Sequence, residues 1–361
     1  MVPEKHSFAL RLSWQNMARH ALAWCGLWAC VSAWAWSQHA LGTWQSLQSM
    51  PELQGVPPVK VETLASFLRA QGPALEAVLS QQEQWSRERL RNYPARPEVL
   101  SYRFDPALDD AALRLRFLQA LRVNPQIPLP LFLQLPPDQA AATRPELPAS
   151  AVSTLSRDNG LEGTRFVSLS VGEWVPALDV IATAADEPDY GLDLGLWEDN
   201  GTDHGRRYGF GKQPFGNPAL AFSSQAPFHM GFFHESPVVY AAAGFLRRTY
   251  PEYRVHLWQT LARHAMKSGH DYWAWRFSGW ALHYVQDLTQ PYHARVLPGV
   301  SVVRMLGIQG LDLLGVSTPK NKAITLVSNR HLALENYQRH AMLTPWQEGK
   351  MDHPMLKVYG P

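Results

Sequence analysis

Ala281-Leu282-His283-Tyr284-Val285-Gln286-Asp287-Leu288-Thr289-Gln290-Pro291-Tyr292-His293 closes a proline-free run that starts at Tyr272, and it places two imidazoles and a carboxylate within eleven residues. Trp273, Phe277, Trp280, Tyr284 and Leu288 recur at three- and four-residue steps, the period of a helix with one buried face. On such a helix His283 and Asp287 stand one turn apart and reach towards the same point. Pro291 is expected to end or kink the helix and to turn His293 back towards them. A surface ion pair would also explain a lone His and Asp at this spacing, so the motif needs a second witness.

Asn329-Arg330-His331-Leu332-Ala333-Leu334-Glu335-Asn336-Tyr337 supplies one, with His331 and Glu335 again four apart in a helical pattern. Two helical pairs of imidazole and carboxylate suit a metal site better than two coincidental ion pairs. The segment with His283, Asp287, Pro291 and His293, followed by His331 and Glu335, resembles the zinc-dependent phospholipase C superfamily, whose other branch is the single-strand-specific zinc nucleases. The resemblance implies an all-α, multi-helix domain with a cluster of zinc ions in a cleft between helices. It also implies a mature chain that begins with a Trp whose amine and carbonyl bind zinc.

The start of the chain carries an export signal. Arg11, Arg19 and His20 form a basic start, Ala21 to Ala33 is apolar and uncharged, and Ala33-Trp34-Ala35 is a small-x-small cleavage pattern. Cleavage after Ala35 makes Trp36 the first residue of the exported chain, in the periplasm or outside the cell. The apolar run is shorter than the roughly 20 residues that a membrane span needs. Both cysteines, Cys25 and Cys30, lie inside the signal, which leaves the exported chain without a thiolate ligand or a disulfide framework. The 361 residues are 46% hydrophobic and 18% charged with a formal charge of +2, an ordinary globular composition without the basic excess that steers nucleic acid.

Carried over residue by residue, the resemblance implies three zinc ions per chain. His39, the only His between residues 21 and 203, would hold one ion with Trp36; Asp186, His229 and His283 would hold a second. Asp287 would bridge these two, and His293, His331 and Glu335 would hold the third. Asp186 opens the acidic stretch Asp186-Glu187-Pro188-Asp189-Tyr190-Gly191-Leu192-Asp193 and takes the ligand place ahead of Asp189 and Asp193, together with the role of general base. His234 rivals His229. His256, His264 and His270 are assigned to packing or solvent.

Such a constellation implies phosphodiester hydrolysis by metal-bound hydroxide, with a phospholipid or membrane surface as partner and a monomeric enzyme. A single-strand nuclease or 3'-nucleotidase of the same fold is the alternative; Phe228, Phe232 and Phe233 would serve it as stacking platforms for single-stranded nucleic acid. A catalytically silent exported binding protein is a third reading. Residues 51 to 150 are expected to form an extra helical insertion, with helices over Val61 to Leu90 and Asp105 to Asn124, the latter capped by Asp105. Thr164 to Ala185 is expected to hold a short strand or irregular segment. Val296 to Gly315, apolar except for Arg304 and Asp312, reads either as an extra core helix pair or as a hydrophobic lip beside the site.

Overall fold

A computed structural model describes residues 38–357 except 138, 140–142, 156–160 and 162. Trp36, the export signal and its cleavage point lie outside the described residues. The described chain is mostly helical. Its helices are α1 (His39–Gln48), α2 (Leu64–Arg89), α3 (Asp110–Ala120), α4 (Ala177–Asp186), α5 (Asp203–Tyr208), α6 (Ala226–His229), α7 (Pro237–Ala242), α8 (Pro251–Lys267), α9 (Asp271–Asp287), α10 (Pro291–Ala294), α11 (Val302–Leu313) and α12 (Thr318–Gln347). Two small sheets accompany them. β1 (Val59–Lys60) pairs antiparallel with β5 (Trp174–Val175), and β4 (Phe166–Ser168) lies between β2 (Phe132–Gln134) and β3 (Glu146–Leu147). Both β4 and β5 fall in the segment from Thr164 that was expected to hold a short strand, although its end, from Ala177, is the helix α4.

Helix α9 is central because nearly every side of it is packed. Trp273, Phe277, Trp280 and Tyr284 are buried as their spacing requires, and α8 and α4 lie against the helix. The Trp258 ring of α8 meets Trp280 edge-on, with centroids 4.7 Å apart. On the other side a Cβ at Gly279 would stand 2.5 Å from both the Ala184 Cβ and the Ile181 carbonyl oxygen, so only glycine lets α4 approach this closely. His283 and Asp287 are thereby held at the buried end of a rigid helix.

Residues 51 to 150 share this core. Phe67 of α2 stacks on Trp273 and meets Phe277 edge-on, and Leu113, Phe117 and Leu133 belong to the same buried cluster. Helix α2 begins at Leu64, where the Thr63 side chain accepts the Ser66 N–H. Helix α3 is shorter than expected and begins later: Asp109 is its N-cap, at 2.8 Å from the Ala112 nitrogen. Asp105 instead closes a turn, its carboxylate taking the Ala107 N–H and its carbonyl the Leu108 N–H, so Pro106 never enters the helix.

Two smaller clusters place the remaining site-bearing elements. Ala40, Leu41 and Trp44 of α1 pack with Ala182 of α4 and with Met342 and Trp346 at the end of α12. Phe215, Met230, Phe232, Val239, Leu246 and Val296 form the other, under α6, α7 and the segment after α10. Helix α9 ends at Asp287, and Pro291 opens the short helix α10 rather than kinking α9. Among the described residues no helix is long and apolar enough to cross a membrane.

Candidate metal centre

The ends of five elements meet where the ring of His39 comes within 4.1 Å of that of His283. Three groups of described residues could hold a metal ion: His39, His283 and Asp287; Asp189, His229 and His283; and His293, His331 and Glu335. Asp287 joins them. Its Oδ2 lies 2.8 Å from His229 Nδ1 and 3.2 Å from His283 Nε2, while its Oδ1 lies 3.0 Å from His293 Nδ1 and 3.8 Å from His39 Nε2. One fully buried carboxylate thus turns each oxygen towards a different pair of imidazoles.

The far nitrogens of His39 and His283 are hydrogen-bonded from behind, and that of His229 faces a carboxylate. His39 Nδ1 is 2.8 Å from Gln286 Oε1, and Gln286 Nε2 donates to Thr43 Oγ1 at the same distance. His283 Nδ1 donates to the Ala185 carbonyl at 2.7 Å. His229 Nε2 faces Asp193 Oδ2 at 3.4 Å; Asp193 in turn accepts the Tyr284 hydroxyl and the Arg254 guanidinium at 2.6 Å each. With those protons facing outward, the inward nitrogens of His39 and His283 are left as lone-pair donors, the arrangement in which an outer layer orients metal-binding histidines, whereas against burial the carboxylates of Asp287 and Asp193 push His229 up to about 10.

The atoms facing inward test whether a metal suits the site. His331 Nε2 lies 2.7 Å from Glu335 Oε1 and His293 Nδ1 3.0 Å from Asp287 Oδ1, yet neither nitrogen has hydrogen-bond geometry to any partner. Asp189 Oδ1, Asp287 Oδ1 and Glu335 Oε2 are likewise buried without a hydrogen bond. Leaving so many buried donors and acceptors unmatched is costly unless a cation takes their lone pairs. The residues fit a metal.

The charges tell the same story. Burial works against the Asp287 carboxylate, but His283, His293 and His229 hold it well below its ordinary range. Burial drives Asp189 well above its ordinary value, opposed by His229 and reinforced by Asp287. His39 is pushed well down by burial and by the neighbouring His283, and His283 is pushed down by burial. Two imidazoles are therefore kept neutral, the form that binds metal.

Not every expected residue faces the cluster. His229, His283, Asp287, His293, His331, Glu335 and His39 do. Asp186 does not belong to any of the three groups: its Oδ1 accepts the Ala40 N–H at 3.2 Å and its Oδ2 the Gln134 amide at 2.7 Å. It holds the first turn of α1, and with it His39, while burial pushes its carboxyl up to about 6 against those hydrogen bonds. Asp189 takes the place facing the histidines, with Oδ1 3.7 Å from both His229 Nδ1 and His283 Nε2. His234, the rival of His229, is exposed and engages the chain through its backbone.

Asp193, passed over as a ligand in favour of Asp186, stands behind His229, and Arg254, Gln134 and Gln286 were not foreseen. Arg254 also donates to the carbonyls of Leu121 and Arg122, and Gln134 lies on β2, so the region from 51 to 150 reaches the centre through both. A signal for the acids exists in the sequence. Asp186, Asp189 and Asp193 are spaced three and four apart, so a helical reading through the turn Glu187–Tyr190 puts all three on one face. His256 and His270 are accounted for elsewhere: the first stacks on Trp85, and the second binds Glu62 at 2.9 Å.

A backbone strap ties two of the ligand-bearing segments together. The Gly231 and Phe232 N–H groups both donate to the His293 carbonyl, at 3.0 and 3.1 Å, and the His234 N–H donates to the Ala294 carbonyl. Phe232 takes φ 50° to do so, a left-handed conformation that costs a non-glycine residue energy.

No model of a known protein family, no curated protein and no solved structure matches the chain.

Proposed function

We propose that the chain is a zinc-dependent hydrolase of phosphodiester bonds, and that its substrate is a phospholipid cleaved between glycerol and phosphate. The observation that carries this reading is the Asp287 carboxylate, whose two oxygens face separate imidazole pairs between three adjoining groups of ligands. A set of imidazoles and carboxylates without thiolate suits zinc in a hydrolytic site. Bound zinc would supply an acidified water and the positive charge that a phosphodiester needs in order to be attacked.

The chain's own residues do the rest. Asp287 fixes the spacing between the first two groups and the third, because it lies within 3.8 Å of an imidazole of each. His39, His229, His283, His293, His331 and Glu335 would hold the ions, with Asp189 in the carboxylate place that the sequence reading gave to Asp186. Asp189 is the least covered of the three acids, 15% exposed against 0% and 1% for Asp287 and Glu335, so its carboxylate can accept a proton from solvent or substrate.

Hydrolysis of single-stranded nucleic acid is the second reading, and the aromatic side chains weigh against it. Phe228 and Phe232, which it needs as stacking surfaces, are 0% and 1% exposed; only Phe233 is open, at 48%. Metal analysis of the purified protein, paired with hydrolysis of phosphatidylcholine in mixed micelles against single-stranded DNA, tests the proposal. More than one zinc per chain and release of diacylglycerol are expected. Zinc-loaded protein that cleaves neither substrate would overturn it in favour of a binding protein.

A further inference from the structure

Between His293 and His331 the chain makes a detour that the metal centre does not require. Helix α11, Val302–Leu313, is apolar on both sides and contains no buried residue. Val302, Met305 and Ile308 turn inward over an apolar crevice lined by Val239, Leu246 and Ile324. The outer side carries Val303 and Leu314, each 80% exposed, and Leu313 at 53%. A polar latch at the hairpin's base, Lys320 to Asp312 at 2.8 Å and Ser317 to Asp312 at 2.6 Å, fixes this presentation.

The inner side of this helix packs against α7 and α12, but nothing in the described chain covers its apolar outer side, and an exposed apolar face of this kind marks a binding surface. Twelve residues extend only ~18 Å, short of the ~30 Å of a bilayer core, so the helix is suited to lie along a surface. The charge around it selects the surface. From Leu288 to Leu334 the only acid is Asp312, already paired with Lys320, while Arg295, Arg304, Lys322 and Arg330 are all exposed. A second copy would bring the same cations together, whereas anionic headgroups complement them. We propose that α11 inserts its outer side into the interface of an anionic lipid bilayer, with those four cations on the headgroups. The proposal rests on the lipid reading of the metal centre, but it is tested through adsorption rather than hydrolysis.

The test compares the full chain with the double variant Val303→Asp, Leu314→Asp. Both are sedimented with vesicles of phosphatidylglycerol and phosphatidylcholine and with vesicles of phosphatidylcholine alone. The wild-type chain is expected to bind the anionic vesicles more tightly, and less so as salt rises. The variant should lose about tenfold or more of that binding while retaining its circular dichroism spectrum and zinc content. Equal adsorption of variant and wild type, or no adsorption at all, overturns the proposal. So does a dimer in native mass spectrometry that the two substitutions dissociate, since the side would then be covered by a second copy. Adsorption without cleavage of phosphatidylcholine would leave this inference standing and sink the lipid substrate; cleavage in micelles without adsorption would do the reverse.

Discussion

The two sides of the candidate metal centre are built differently. Around His39, His229 and His283 the outward nitrogens of two rings are hydrogen-bonded and the third faces a buried carboxylate, and these neighbours are themselves anchored, Gln286 by Thr43 and Asp193 by Arg254 and Tyr284. Around His293, His331 and Glu335 the backing is thinner: Gln290 donates to Glu335 at 3.3 Å, and Tyr292 stacks on His331 with centroids 5.2 Å apart. The first side is carved into the main core, while the second leans on a long helix most of whose residues are half-buried or exposed. Preorganisation from a core costs nothing when the ion arrives, so the side without it should bind less tightly.

The largest effect is expected at the residue that belongs to both sides. Asp287→Ala should reduce phosphodiester hydrolysis to background and empty both sides together, measured as zinc per chain. Selective loss from one side would break the view of Asp287 as their link. Arg254→Met comes next. It leaves the Asp193 charge buried without its cation and should lower stability by about 3–5 kcal/mol in urea denaturation.

That effect carries a pH signature. Burial opposes the Asp193 charge, but Arg254, then His229, hold its carboxyl below the ordinary 3.8. Its contribution is therefore complete above 3.8 and fades as pH falls through the lower folded value, so the gap between wild type and Arg254→Met should be widest at neutral pH and close in acid.

Gln290→Ala sharpens the contrast at smaller cost. Removing the donor to Glu335 should weaken zinc at the second side about 10–100-fold, seen as earlier loss to a graded chelator, and leave the first side loaded. His264→Ala, on the outer part of α8 and away from all three groups, should change neither zinc content nor rate.

Much of this was legible in the residues. The period of Trp273, Phe277, Trp280 and Tyr284 placed α9, and the four-residue spacings of His283 with Asp287 and His331 with Glu335 placed ligands one turn apart on their helices. What failed was local. Asp105 precedes a proline, and Asp109 does not, yet the chain spends Asp105 on a turn and starts the helix from Asp109. Asp186 opens an acidic stretch that looked like a loop, but it is the last residue of α4, which points its carboxylate at the first turn of α1 and leaves the histidines to Asp189 in the turn that follows. Long-range partners such as Arg254 and Gln134 carry no local signal, because what makes them matter is a contact more than fifty residues away.

The strap from Gly231 and Phe232 to the His293 carbonyl has a mechanical corollary. It rivets the loop after His229 to the short helix bearing His293, so these two ligands must travel as one body. Among the described residues His331 and Glu335 share no such backbone tie with them and meet that body through the side chains of Gln290 and His293.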